Sequence, residues 1–295
     1  MNANFDKVIQ LATGSRFARF RKNPFRYLKA MLLKRSNHLS TKVDVQTFWG
    51  DEITIHLPSS LDIYLTGAKT HPSELRLTAF LMKQANACKG FLDIGAHVGY
   101  FSLLMNKYAR PALPILAIEA APRTFALLQH NVAKYKSITA LQYAASNQQG
   151  TLQFLELPAK YAEYNSLQLE QYKNEAWFQQ INPTICDVAA TRIDDLLLQH
   201  PTFSPTIIKI DVEGAELSVL QGMTNCISTH TPMLIVEFVC NEQNKTNFDK
   251  IENLLQAKGL KPYCINGTGE LELLKKDIYS WMCEHKIDSE NFVFQ

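Results

Sequence analysis

Three carboxylates crowd one short stretch of this chain, and carboxylates at that density can move protons. Ile207 to Gly222 reads Ile-Ile-Lys-Ile-Asp-Val-Glu-Gly-Ala-Glu-Leu-Ser-Val-Leu-Gln-Gly, with Asp211, Glu213 and Glu216 inside it. Neighbouring carboxylates raise one another's pKa, which suits general acid/base work. Glu213 and Glu216 are three apart and can share a helix face. Lys209 lies among apolar residues. Burying it unpaired is costly, so it is expected to reach a carboxylate. Any one acid taken alone reads as a helix-capping or salt-bridging carboxylate.

A second stretch could hold a ligand. Phe91 to Phe101 reads Phe-Leu-Asp-Ile-Gly-Ala-His-Val-Gly-Tyr-Phe. It suggests a buried strand, a tight turn and a helix start. Glycine permits positive φ and close backbone approach, and a helix start leaves N–H groups unpaired. The dinucleotide fingerprint needs Gly-x-Gly-x-x-Gly, but Gly95 and Gly99 make Gly-x-x-x-Gly. A phosphate-binding loop would end in Gly-Lys-Ser/Thr, which is absent. An acid followed by Gly-x-x-x-Gly suits S-adenosylmethionine, whose methionine end is zwitterionic. The plain alternative is an ordinary strand-to-helix turn. Glu119 stands 20 residues beyond Gly99, the usual distance for an acid that takes ribose hydroxyls.

The elements that must position these groups alternate. Strands are expected at Phe91–Ile94, Ile115–Ile118, Thr139–Ala144, Ile207–Ile210 and Met233–Val236. Helices follow from Val98 to about Tyr108 and from Pro122. Asp93, Glu119, Asp211 and Glu237 then stand at the ends of four strands, the edge where open α/β sheets bind ligands. A helix over Lys245–Lys258 should stop at Gly259, and Leu260–Ile265 and Asn291–Phe294 read as the last strands. The pattern predicts an open, mostly parallel sheet with helices on both faces. Residues 151–195 interrupt it with two strand-like segments around Tyr161, Tyr164, Tyr172, Trp177 and Phe178. They read either as a cover over an acceptor pocket or as a surface excursion. Before the sheet, Pro72 opens a helix, and Val43–Leu57 reads as a β-hairpin.

Composition sets limits. The 295 residues carry a net charge of +2 and 46% hydrophobic residues. That supports a sizeable core and gives no global sign of nucleic-acid binding. The charge is uneven: eight Lys or Arg lie between Arg16 and Arg35, with no acid between Asp6 and Asp44. This basic, aromatic segment reads as a contact with anionic lipid or an acidic polymer, or as a packed arm with its basic face in water. Charge runs favour the packed arm. The six cysteines form no Cys-x-x-Cys pair, so zinc is not expected. The start lacks secretory character, no apolar run reaches the ~18 residues of a membrane span, and a cytoplasmic protein with mostly buried, reduced thiols is expected.

Together the two stretches resemble the FkbM family of S-adenosylmethionine-dependent methyltransferases. The resemblance rests on Asp93-Ile-Gly-Ala-His-Val-Gly-Tyr-Phe-Ser, Glu119, Ala144-Ala-Ser, Thr191-Arg-Ile-Asp-Asp-Leu and Ile208-Lys-Ile-Asp-Val-Glu-Gly-Ala-Glu. Arg192 departs from the small or apolar residue expected there. The resemblance implies a class I methyltransferase fold: α/β, Rossmann-like, with a seven-stranded mostly parallel sheet whose last strand is antiparallel. Residues 61–295 would be that domain, preceded in residues 1–60 by a basic arm and hairpin. Asp93, Gly95, His97, Gly99 and Tyr100 would cradle the methionine end, although His97 also reads as a helix cap. Glu119 would hold the ribose, and Ser146 and Asn147 would face the adenine. The implied activity is O-methylation of a hydroxyl of a sugar, polysaccharide unit or natural product. Asp211 or Glu213 would take the hydroxyl proton. Glu237 would orient the acceptor or, with Asp211, hold a magnesium or calcium ion, and the residues leave that choice open. The alternative is a scaffold protein that binds S-adenosylmethionine without chemistry.

Overall fold

The computed structural model describes residues 3–14, 20, 24–35, 40–158, 160–161, 178, 181 and 183–295. Two helices come first, α1 (Ala3–Thr13) and α2 (Pro24–Arg35). The hairpin β1 (Thr41–Gln46) and β2 (Glu52–Leu57) follows, then α3 (Leu61–Thr66) and α4 (Pro72–Gln84). The alternating part begins with β3 (Phe91–Ile94), α5 (Tyr100–Tyr108), β4 (Ile115–Ile118), α6 (Pro122–Val132) and β5 (Ile138–Leu141). An excursion supplies β6 (Ala144–Ala145), β7 (Gly150–Glu156) and β8 (Thr184–Thr191). The chain resumes with α7 (Ile193–Leu198), β9 (Ile207–Ile210), α8 (Glu216–Gln221), α9 (Thr224–His230) and β10 (Met233–Val239). It ends with α10 (Lys245–Gln256), β11 (Pro262–Ile265), β12 (Leu271–Leu273), α11 (Ile278–His285) and β13 (Ser289–Phe294).

The main sheet has the order β12-β11-β13-β10-β9-β3-β4-β5. Strands β5, β4, β3, β9 and β10 run parallel, and β13 is antiparallel to both of its neighbours. This is the class I arrangement, with one correction to the strand count. The sheet has eight strands because β12 folds back onto β11 as an edge hairpin. Three residues long and only partly apolar, β12 leaves little periodic signal. The expected third strand is also divided. β5 stops at Leu141, and β6 leaves the main sheet to pair with β8 in a three-stranded sheet with β7. Of the aromatic excursion, Tyr164, Tyr172 and Trp177 lie outside the described residues.

The central strands are buried on both faces, which is why they read as continuous apolar runs. Successive side chains point to opposite faces. Phe91, Ile115, Ala117, Ile207 and Ile235 join one apolar core with α4, α5 and α6. Leu92, Ile94, Leu116, Ile208 and Ile210 join the other with α8, α9 and α10. Burial of each large apolar side chain contributes about 1.5–3 kcal/mol. The N-terminal extension shares the first core through Phe5, Val8, Val45, Trp49 and Ile53. The six cysteines are free, but only Cys88 and Cys226 are fully buried, fewer than expected. No described helix is long and apolar enough to cross a membrane.

Asn131 ties the hairpin to the glycine turn. Its side chain accepts from Thr54 N–H at 2.8 Å and donates to Thr54 O at 2.9 Å and Val98 O at 2.8 Å. Removing it leaves these backbone groups unpaired in a buried place, at ~1–3 kcal/mol per group. Asn131→Ala is therefore expected to lower the unfolding free energy by about 3 kcal/mol, read from urea titration.

Candidate active site

The turn after β3 is built by an unusual backbone. Gly95, His97 and Gly99 have φ of 78°, 52° and 89°. Gly95 is required because a methyl there would lie 1.7 Å from the Asp211 carbonyl oxygen. The turn and the end of β9 are thus pressed together. Gly95 and Ala96 N–H groups both donate to Ile118 O at 2.9 Å. His97 takes a left-handed conformation that costs a side chain of order 1 kcal/mol or more. In return its N–H meets Glu119 Oε2 at 2.9 Å, while Ala121 N–H meets Oε1 at 2.9 Å. Glu119, just past β4, is held at both oxygens. Burial pushes its pKa up to about 7 against these two donors. Burial, with Lys69 nearby, lowers His97 to about 3, so its ring is neutral at physiological pH. Tyr100 is placed differently from its neighbours in the motif. Its ring is fully buried, edge-on to Trp49 at 5.1 Å and to Phe101 at 5.2 Å.

Beneath the turn lies a buried ion cluster. Asp93 and Lys209 are register partners on adjacent parallel strands, so their side chains share a face. Lys209 is 2% exposed and Asp93 is fully buried. Lys209 Nζ donates to Asp211 Oδ2 at 2.9 Å and lies 3.8 Å from Asp93 Oδ1. The same ammonium sits 5.3 Å from the centre of the Phe101 ring. Ser102 Oγ, one turn into α5, donates to Asp93 Oδ2 at 2.7 Å. Burial would lower the lysine's pKa, but Asp211 and Asp93 outweigh it and the net direction is upward. Burial raises Asp93, opposed by Lys209. Asp93 thus supports the turn from below.

The acidic cluster continues from Asp211. Asp211, Glu213 and Glu237 each place a carboxylate oxygen within 4.8 Å of the others. Burial raises Asp211, but Lys209 and a hydrogen bond with Glu237 overturn this and hold it well below the usual carboxylate range. Burial and the adjacent Asp211 raise Glu237 well above it. The two directions assign a proton shared by the pair to Glu237, which then donates to ionised Asp211. Ser289 Oγ donates to Glu237 Oε1 at 2.6 Å. Glu237 lies within β10, two residues before its end, rather than at its terminus. Glu213 has φ 49° and precedes α8, so it does not share a helix face with Glu216. Glu216 instead accepts the Gly214 N–H at 2.9 Å, and burial pushes it up to about 7.

Ser146 and Asn147 lie where β6 ends and meet α8. Ser146 Oγ is 3.3 Å from Ser218 Oγ, and Asn147 Nδ2 donates to Gln221 Oε1 at 3.0 Å. Asn147 is exposed and Ser146 is buried. Sequence reasoning missed Lys69. It lies in the loop after α3, pairs with Glu74 and stands 5.7 Å from the Phe101 ring centre. Asp62 anchors that loop by accepting Thr70 N–H at 3.0 Å, and burial beside Glu74 pushes it up to about 6. Nothing in the spacing of Lys69 relative to the two motifs marks it. The segment around Arg192 is structural: Asp194 accepts the N–H groups of Asn225 and Cys226 at 3.1 and 2.8 Å, and Arg192 lies 3.4 Å from it.

The turn, the Glu119 clamp and the acidic cluster all fall within one matched region. The family profile described as the methyltransferase FkbM domain matches residues 93–262. The chain belongs to this family. Among curated relatives of this FkbM-domain protein, it is 32% identical over 160 residues to methyltransferase sdnD of Sordaria araneosa, covering 45% of this chain and 59% of that protein. It is 29% identical over 182 residues to methyltransferase 1 of Beauveria bassiana, covering 57% and 70%. It is 25% identical over 150 residues to the hexuronic acid methyltransferase AglP of Haloferax volcanii, covering 50% and 56%. A crystal structure of methyltransferase FkbM from Methylobacillus flagellatus aligns with TM-score 0.46 and 17% identity, covering 80% of this chain and 52% of that one. The match thus spans less than two thirds of the sdnD and AglP proteins.

Two measurements follow. Lys209→Met leaves Asp93 and Asp211 without the ammonium they share, and removing one partner of a buried ion pair costs about 3–5 kcal/mol. Urea unfolding should show that loss, and adding Asp93→Asn should restore part of it. For Glu119 the folded pKa is raised, so its contribution is fully present below the unfolded value of 4.5 and is lost as pH rises through about 7. Glu119→Gln abolishes this loss. Its stability relative to the parent should rise by up to about 3 kcal/mol between pH 4.5 and 7, and a difference constant with pH would contradict the assignment.

Proposed function

We propose that this protein transfers a methyl group from S-adenosylmethionine to a hydroxyl of a sugar, polysaccharide unit or related small product. The observation that carries this reading is the Glu119 clamp beside the glycine turn. Each Glu119 oxygen takes one backbone N–H, and a carboxylate oxygen has further acceptor capacity, so both can receive a ribose hydroxyl. Gly95, His97 and Gly99 bring backbone rather than side chains to the same place. The residues therefore fit the cofactor. Asp93, Gly95, His97 and Gly99 would form or support the methionine-end site, and Ser146 and Asn147 the adenine side. Tyr100 would act by packing α5 against the hairpin. When bound, S-adenosylmethionine supplies an electrophilic methyl carbon.

The chain's own task is then to place the acceptor oxygen and remove its proton. Alignment of two reactants can contribute ~7–11 kcal/mol, and a positioned base ~10²–10⁴ in rate. The acidic cluster fits the second role. Asp211 stays ionised because Lys209 holds it, and Glu237, raised by burial and by Asp211, is the partner that takes up a proton. Glu213, in the strained turn beside them, would accept the hydroxyl proton, with Asp211 orienting the hydroxyl. The closeness of the three carboxylates also favours a second reading, a bound divalent cation. Against it, Lys209 already neutralises Asp211 at 2.9 Å. AglP is named for methylation of a hexuronic acid, which supports a sugar acceptor here. The scaffold alternative gives no role to three carboxylates held within 4.8 Å of one another.

Calorimetry should show binding of S-adenosylmethionine and its demethylated product, and binding of NAD instead would overturn the reading. With a methylated sugar product identified by mass, Glu213→Gln should lower kcat by about 10²-fold or more with little change in cofactor affinity. Wild-type kcat in that variant would remove Glu213 as base. Exhaustive chelation should leave turnover unchanged, and loss restored by magnesium would establish the metal reading.

A further inference from the structure

Helix α2 leaves four of its large apolar side chains on the outside. Ala30 and Leu33 are buried, and Arg26 holds the helix to α3 by lying 5.3 Å from the Tyr64 ring centre and donating to Tyr64 O at 3.4 Å. On the other side Phe25 is 83%, Leu28 53%, Met31 42% and Leu32 68% exposed. At 3.6 residues per turn these four fall within an arc of about 120°. Among the described residues, the other exposed large apolar side chains are Ile185, Leu198 and Leu273, each on a different element. The helix packs through Ala30 and Leu33, with Arg26 and Lys29 exposed as in a packed arm, but it also leaves these four large apolar side chains outside.

The apolar face sits in the most basic part of the chain. Arg16, Arg19, Arg21, Lys22, Arg26, Lys29, Lys34 and Arg35 supply eight positive charges, and no acid occurs from residue 7 to residue 43. We propose that α2 docks the protein on an anionic membrane surface. The helix would lie in the interface plane, with Phe25, Leu28, Met31 and Leu32 in the boundary between headgroups and acyl chains. Lys29, exposed one turn from Phe25, would meet lipid phosphates. An exposed apolar patch on a helix flanked by basic residues has the physical form of an interfacial helix, and juxtamembrane basic clusters add attraction to anionic lipid. An acidic polymer would satisfy the charges but leave four large apolar side chains in water. A second copy of the chain would cover the apolar face but bring together two segments that carry no acid from residue 7 to residue 43.

Sedimentation with vesicles of phosphatidylcholine, with and without phosphatidylglycerol, tests this on the full chain. The protein should sediment with the phosphatidylglycerol vesicles. The triple variant Phe25→Ser/Leu28→Ser/Leu32→Ser should bind at least about tenfold more weakly, with an unchanged circular dichroism spectrum. A Phe25→Trp variant should shift its emission to the blue on these vesicles, as its ring leaves water. Absence of sedimentation, or equal binding by the triple variant, would overturn the proposal. Binding to heparin that the triple variant fully retains, without vesicle binding, would assign the surface to an acidic polymer instead.

Discussion

A lysine buried in the middle of a parallel sheet governs the site. Lys209 lies in β9 with both neighbouring strands in register, and desolvation there would expel an unpaired charge. Asp93 on the adjacent strand and Asp211 two residues along make the cation tolerable. The cost of this arrangement is balanced by geometry. Asp93 fixes α5 through Ser102, and Asp211 fixes the chain direction out of β9. That exit presses against Gly95, where only a residue without a Cβ fits. The cofactor turn and the acidic turn are therefore one mechanical unit. Mispositioning either would disturb the other.

The same cation separates the behaviour of chemically similar acids. Asp211 is driven low by Lys209, Glu237 is driven high by burial and Asp211, and Glu119 and Glu216 rise to about 7 through burial. A pair that shares one proton presents a single negative charge to an incoming hydroxyl. That is a suitable neighbour for a base and a poor one for a strongly held divalent ion. The electrostatic design is carried by the sheet, while Glu213, the proposed base, comes from the turn outside it. Turns can adjust to substrate, whereas a register pair in a parallel sheet cannot.

Much of this was legible in the chain. The buried parallel strands Phe91–Ile94, Ile115–Ile118 and Ile207–Ile210 are apolar throughout except for Asp93 and Lys209, and those exceptions mark the site. The need of Lys209 for a carboxylate partner follows from solvation alone, and the structure supplies two. The Gly-x-x-x-Gly turn and Glu119 meet as their spacing implies. What was not legible depends on contacts distant in sequence. Short elements such as β12 and α3 carry too few residues for a period. β6 separates from β5 because it finds β8, some 45 residues on. Tyr100 reads as part of the turn, but its side chain follows the helix inward to Trp49. Lys69 reaches the site from a loop before α4, and no spacing rule connects the two. For α2, the sequence supplies the basic charge, and the fold decides which face is left outside.

The central claim is that Lys209 divides the acids into an ionised Asp211 and a protonated Glu237. Carbon-13 NMR titration of the Asp and Glu carboxyl carbons, assigned with Asp211→Asn and Glu237→Gln, measures this directly. The structure predicts that the Asp211 signal titrates well below the usual carboxylate range and the Glu237 signal well above it. It also predicts that Lys209→Met moves the Asp211 titration upward. Asp211 and Glu237 both titrating in the ordinary carboxylate range, unaffected by Lys209→Met, would contradict it.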